Sequence, residues 1–125
     1  MTIKRCTANL YTGDVAACVD FWTSRMEFEK TVEVPQENGL AFAAIQRGGI
    51  ELMYGSFESL GKELGAAMPS KGPSFLFVEV DDLDSVVHAM SGAPTIVPVH
   101  KTFYGATEFT VTDPAGHFIT FAQFA

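Results

Sequence analysis

Asp14-Val15-Ala16-Ala17-Cys18-Val19 and, 68 residues later, Asp82-Leu83-Asp84-Ser85-Val86-Val87 are two versions of one signal, and their repetition decides the fold. Each follows a strand-like run, Lys4 to Tyr11 in the first case and Ser74 to Val80 in the second. An Asp at such a junction caps a helix: its carboxylate accepts hydrogen bonds from the first unpaired amides and suits the positive end of the helix dipole. Behind Asp14, apolar residues recur at Val15, Cys18, Val19, Trp22 and Met26. Behind Asp82 they recur at Leu83, Val86, Val87 and Met90. Both stripes predict a helix with one side to lay on a sheet.

The segments after each helix are strand-like. The first helix is succeeded by Phe28–Val34, Leu40–Gln46 and Ile50–Tyr54, punctuated by Asn38-Gly39 and Gly48-Gly49. The second is succeeded by Thr95–Val99, Ala106–Thr112 and His117–Ala122, with breaks at Tyr104-Gly105 and Asp113-Pro114-Ala115-Gly116. Each half therefore reads β-α-β-β-β, an α+β arrangement of two tandem βαβββ modules. The expected boundaries are module one at about 1–56, a connector at 57–73 and module two at about 74–125, within one domain covering 1–125. Glu58 and Lys62 at i, i+4, with Leu60 and Leu64 on a shared face, predict a short helix in the connector.

Composition narrows the function classes. The chain has 125 residues, eight basic side chains against fifteen acidic ones, and a formal net charge of −7. No Lys/Arg run exceeds Lys4-Arg5, so the sequence predicts neither a nucleic-acid partner nor a membrane surface. Cys6 and Cys18 form no metal-ligand spacing and read as small apolar residues in a reducing compartment. The polar start Met1-Thr2-Ile3-Lys4-Arg5 lacks a signal-peptide core, and no window has the roughly 20 apolar residues of a membrane span. A cytoplasmic location is the expectation. Fifteen aromatic residues, eleven of them Phe, either pack a core or line a cavity.

Three motifs resemble a known family. Val80-Asp81-Asp82-Leu83-Asp84 resembles the second-module opening of bleomycin-resistance-like proteins. Phe103-Tyr104-Gly105-Ala106-Thr107-Glu108-Phe109 resembles the same family's YG-x-x-E-F segment. Asp113-Pro114-Ala115-Gly116-His117-Phe118-Ile119-Thr120-Phe121 resembles its DP-x-G-x-x-I-x-F hairpin and last strand. Taken without any family, that hairpin is a turn in which Asp closes with its side chain, Pro fixes φ and Gly relaxes the backbone. With the paired modules, the motifs make the chain similar to the vicinal-oxygen-chelate superfamily of glyoxalases, bleomycin-resistance proteins and dioxygenases, and to its bleomycin-resistance-like branch.

The resemblance implies curved half-barrel sheets enclosing a site, and commonly a homodimer. In metal-using members it implies four ligands: His or Gln on the first strand of each module and Glu on the last. Here those places carry Thr7, Glu51, Phe75 (or its neighbour Ser74) and Thr120. Only Glu51 has the expected chemistry, so no metal ligand is assigned and no cofactor is expected, a divalent metal being the alternative. Glu51 is the candidate catalytic residue, a general base if it is buried without a partner.

Strand alternation places Thr7, Asn9, Tyr11, Glu51, Met53, Phe75, Phe77, Glu79, Phe118 and Thr120 on cavity faces, with His100 and Tyr104 near the mouth. His88 and His117 are expected to lie outside. An apolar wall with a few polar groups suits a small organic molecule, and Glu51, Glu79 and Glu108 suit a cationic or polar aromatic one, unless Glu108 is structural. The expected function is metal-independent binding of a drug or metabolite. The alternatives are a metal-dependent lyase, isomerase or dioxygenase with an atypical ligand set, and a closed, non-catalytic dimerisation or regulatory module.

Overall fold

A computed structural model describes residues 1–125 and contains two four-stranded sheets with helices, an α+β fold. Two compact units divide the chain, Met1–Ser70 and Lys71–Ala125. Unit one comprises β1 (Ala8–Thr12), α1 (Val15–Met26), β2 (Glu29–Gln36), β3 (Gly39–Arg47), β4 (Ile50–Ser56) and α2 (Phe57–Leu64), followed by a 3-10 turn at Gly65–Ala67. Unit two comprises β5 (Phe75–Glu79), α3 (Leu83–Ala89), β6 (Thr95–Lys101), β7 (Ala106–Thr112) and β8 (Phe118–Phe124). The βαβββ order is thus present twice. The short helix expected in the connector is α2, which packs on β4, β1 and β3 and falls in unit one.

In unit one the sheet order is β1-β4-β3-β2, with β1 and β4 parallel and the other pairs antiparallel. Asp14 caps α1 by accepting from the Ala17 amide at 3.1 Å. The helix buries all five residues of its expected stripe, and Phe21 as well. They meet Leu10, Ala43, Ile45, Leu52 and Tyr54, the alternate residues of β1, β3 and β4. Burying a large apolar side chain contributes about 1.5–3 kcal/mol, so this one face supplies much of the unit's stability. Inside it, Trp22 donates from Nε1 to the Tyr54 hydroxyl at 2.9 Å, which satisfies both buried polar atoms. Arg47 donates from Nη1 to the Met26 carbonyl at 3.0 Å and covers the helix C-terminus.

Unit two repeats the plan with the order β5-β8-β7-β6. Asp82 caps α3 through the Ser85 amide at 3.2 Å, and Leu83, Val86 and Met90 are buried. Val87 departs from its expected place in the stripe and stays exposed, because a seven-residue helix makes only two turns and turns a narrow face to the sheet. Across from α3, Phe109 and Phe121 stack with centroids 5.6 Å apart. The DP-x-G turn forms as its chemistry predicts: Asp113 Oδ1 accepts from Ala115 at 3.0 Å and from His117 at 2.9 Å, and Gly116 takes a φ of 83°.

The outer strands β2 and β6 are exposed along nearly their whole length. Each carries a proline, Pro35 or Pro98, beside a break in its register. Prolines and bulges on an edge strand leave fewer free amides in line for another strand to pair with.

Candidate functional site

Each sheet has one face on its helix and one face open, and alternation decides which side chain goes where. On the open face of unit one lie Thr7, Asn9 and Tyr11 beside Glu51, Met53 and Gly55, continued by Gln46, Ala44 and Phe42 of β3. Thr7 stands one residue before β1, and its Oγ1 donates to Glu51 Oε1 at 2.9 Å. Arg5 approaches the same oxygen at 3.6 Å, with side-chain exposures of 68% for Arg5 and 15% for Glu51. The carboxylate therefore has two partners, so the condition attached to a general-base role, burial without a partner, is not met. Asn9 donates from Nδ2 to the Tyr11 hydroxyl at 3.1 Å. The Tyr11 ring lies over Gly55, where a Cβ would meet Tyr11 Cε1 at 2.8 Å, so any larger residue there would have to displace the ring.

The open face of unit two is aromatic. Phe75 and Phe77 of β5 are 74% and 56% exposed. Phe75 stacks on Phe118 with centroids 5.0 Å apart and planes 9° apart. Thr120 stands opposite Phe77 and shares a 2.7 Å hydrogen bond with Thr110. Glu79 and Glu108 flank the buried Ala122, one on each neighbouring strand. Tyr104 donates its hydroxyl to Glu108, which is buried and in this sense structural. That bond, followed by desolvation and the carboxylate charge, raises the Tyr104 pKa above the ordinary 10.0.

Strand register sets the facing pairs. Thr7 faces Glu51 one step beyond the Ala8–Leu52 pair, and Phe75 faces Phe118. Both Thr7 and Phe75 lie seven residues before their capping Asp, so Phe118 stands to Phe75 as Glu51 stands to Thr7. Thr120, at the place the family motif implies, lies one pleat further along the same face, opposite Phe77. His100 lies within β6, opposite Glu108, with Nδ1 at 2.9 Å from the Pro98 carbonyl. His88 is exposed on α3, and His117 is buried, its Nδ1 accepting from the Ser74 amide at 2.8 Å. Cys18 is buried as expected of a small apolar residue, whereas Cys6 is exposed.

Some residues of these faces escaped the sequence reading. Phe124 extends the alternation of β8 by one more pleat and sits 6.4 Å from Phe77 and 6.2 Å from Tyr104, between ring centroids. Continuing the Phe118, Thr120, Ala122 pattern would have found it. Arg5 had no such signal, since it precedes the strand and reaches Glu51 only through the fold.

The donor set can be tested against the metal that such a fold implies. The positions concerned, Thr7, Glu51, Phe75 and Thr120, hold two hydroxyls, a carboxylate and a phenyl ring, and no three His, Cys, Asp or Glu side chains converge. Divalent cations need several oxygen, nitrogen or thiolate donors. These residues do not fit one.

Residues 2–121 match the family model for the Glyoxalase/Bleomycin resistance protein/Dioxygenase superfamily. The chain belongs to that superfamily. No curated protein matches it significantly. Among solved structures it is similar to TioX from Micromonospora sp. ML1, with 18% identity and a TM-score of 0.76 over 98% of this chain and 99% of that one. It is similar to a lactoylglutathione lyase from Agrobacterium tumefaciens, with 17% identity and a TM-score of 0.77 over 96% and 92%. It is also similar to TnmS3, an antibiotic binding protein from Streptomyces sp. CB03234, with 17% identity and a TM-score of 0.74 over 100% and 99%. At these identities the likeness establishes the superfamily's fold, which carries both a lyase and a binding protein. No helix is long and apolar enough to cross a membrane.

Proposed function

We propose that this superfamily member binds a small organic molecule without a metal, sequestering a drug or metabolite in the manner of the bleomycin-resistance-like branch. The observation that carries this reading is the Phe75–Phe118 stack. It stands where the register repeats the Thr7–Glu51 pair and includes Phe75, one of the would-be ligand positions, so this part of the face offers a flat apolar surface. Exposed aromatic rings beside a few carboxylates and hydroxyls suit a partly aromatic guest. A cytoplasmic homodimer is part of the proposal, since a second copy would cover exposed apolar residues of the outer strands such as Val32, Val34, Ile96 and Val99.

Titration calorimetry against a panel of aromatic drugs and metabolites, with chelator present throughout, tests the binding. At least one guest is expected to bind with chelator present; if all binding vanishes when chelator is added, the reading is wrong. Light scattering tests the dimer, for which a monomer mass at working concentration is the adverse result. Glu51 at a family ligand position favours a second reading, a metal-dependent lyase, isomerase or dioxygenase. Stoichiometric metal in protein purified without additions, lost in Glu51→Ala, would support that reading instead.

A further inference from the structure

The open face of unit two carries an ordered row of side chains. Glu79 pairs with Ala122, Ala122 with Glu108, and Glu108 with His100, so the two carboxylates stand on either side of a single methyl group. Strands are about 4.8 Å apart, which sets the two carboxylate-bearing positions roughly 10 Å from each other. Three rings edge this row: Phe77, Phe124 and Tyr104 succeed one another at centroid separations of 6.4 and 6.2 Å, tilted by 56° and 42°. Phe77, Phe124, Tyr104 and Glu79 are all exposed, while Glu108 is held beneath the Tyr104 hydroxyl.

The carboxylates of this face are Glu79 and Glu108. Between residues 71 and 125 there are two lysines, Lys71 and Lys101, against six carboxylates. Lys101 pairs with Thr107 and so alternates away from the face that Glu108 and His100 share. The ion pairs Arg5–Glu51, Lys30–Glu33, Arg47–Glu27 and Lys62–Glu58 all lie in unit one. His100 closes the row, its ring turned to the Pro98 carbonyl.

We propose that Glu79, Glu108, Phe77, Phe124 and Tyr104 form a subsite for an organic ammonium ion attached to an apolar or aromatic body. Aromatic faces attract such cations through the ring quadrupole, and an ammonium group loses less hydration there than a metal ion would. The carboxylates add the opposite charge, and the rings take the body. This inference rests on the proposed metal-free binding and names the chemical class of the guest.

The test is two-dimensional NMR of the isotope-labelled full chain titrated separately with benzyltrimethylammonium, benzyl alcohol and benzoate, with and without EDTA. The cation is expected to perturb amides at Phe77–Glu79, Tyr104–Glu108 and Ala122–Phe124, binding about tenfold more tightly than the alcohol. Glu79→Gln and Glu108→Gln should each weaken the cation about fivefold and leave the alcohol unchanged. Glu79 is exposed, so its variant keeps the test available if Glu108→Gln fails to fold.

Equal binding of cation and alcohol overturns the proposal, as do perturbations confined to residues 9–11 and 51–53, or none with the cation at tens of millimolar. Uncharged guests that bind this face in EDTA with no preference for the cation defeat the subsite but leave metal-free binding standing. Loss of all binding on adding EDTA defeats the metal-free reading itself.

Discussion

The two modules share a backbone plan and differ in what they put on their open faces. Unit one sets a hydroxyl against a carboxylate, Thr7 on Glu51, and brings Arg5 to the same oxygen. Unit two sets a ring on a ring at the matching register, Phe75 on Phe118. Their turns differ in the same way. Gly48-Gly49 closes the β3–β4 hairpin with backbone freedom, whereas Asp113 closes the β7–β8 hairpin with a buried side chain. One βαβββ scaffold therefore tolerates opposite chemistries at equivalent places, because the helix-facing residues supply most of each sheet's buried apolar surface.

The largest expected effect breaks the turn comparison. Asp113→Ala removes the one carboxylate oxygen that accepts from both the part-buried Ala115 amide and the buried His117 amide, and should cost about 2–3 kcal/mol in urea unfolding. Gly49→Ala, whose Cβ would meet open space, should stay within about 0.5 kcal/mol. If the two cost the same, the contrast between the turns is wrong.

The facing pairs come next. Phe118→Ala loses the stacked ring and some burial and should destabilise by about 1–2 kcal/mol. Glu51→Gln should cost less than about 1 kcal/mol, since its cationic partner Arg5 is mostly solvated. A Glu51→Gln penalty larger than that of Phe118→Ala would reverse the ranking of the two modules.

The smallest effect is a titration. The Tyr104 pKa is raised by its bond to Glu108, so the neutral phenol is the form the fold favours. Stability from this group is then fully present below the unfolded value near 10 and is lost as pH rises through the higher folded value. Ultraviolet absorbance should show a tyrosinate component ionising above pH 10 that disappears in Tyr104→Phe and falls back in Glu108→Gln. Unaltered curves for both variants would break the assignment.

Local features of this fold could be read from sequence because their causes are local. Asp14 and Asp82 cap helices through amides three residues away, and Asp113 closes its turn within four. Alternation placed Thr7, Asn9, Tyr11, Glu51, Met53, Phe75, Phe77, Glu79, Phe118 and Thr120 on the sheet faces away from the helices. What failed depended on distant chain. The Phe75–Phe118 register is set by a parallel pairing across a helix and two strands, which no local motif fixes. The extension of β6 past Val99 to Lys101 also escaped the sequence reading, since its pairing with β7 runs through two register shifts. Arg5, unseen by any pattern, met Glu51 only in three dimensions. The identity of a guest was not legible either, for it depends on the surface that faces assemble rather than on any one motif.

The proposed metal-free binding rests on Glu51 being engaged by Thr7 and Arg5, and on Thr7, Phe75 and Thr120 standing at the other places where the family's metal-using members carry ligands. Calorimetric titration of the purified protein with zinc, nickel and manganese tests it most directly. The expected result is no saturable site tighter than millimolar in the wild type. A stoichiometric micromolar site that is abolished in Glu51→Ala would contradict the account.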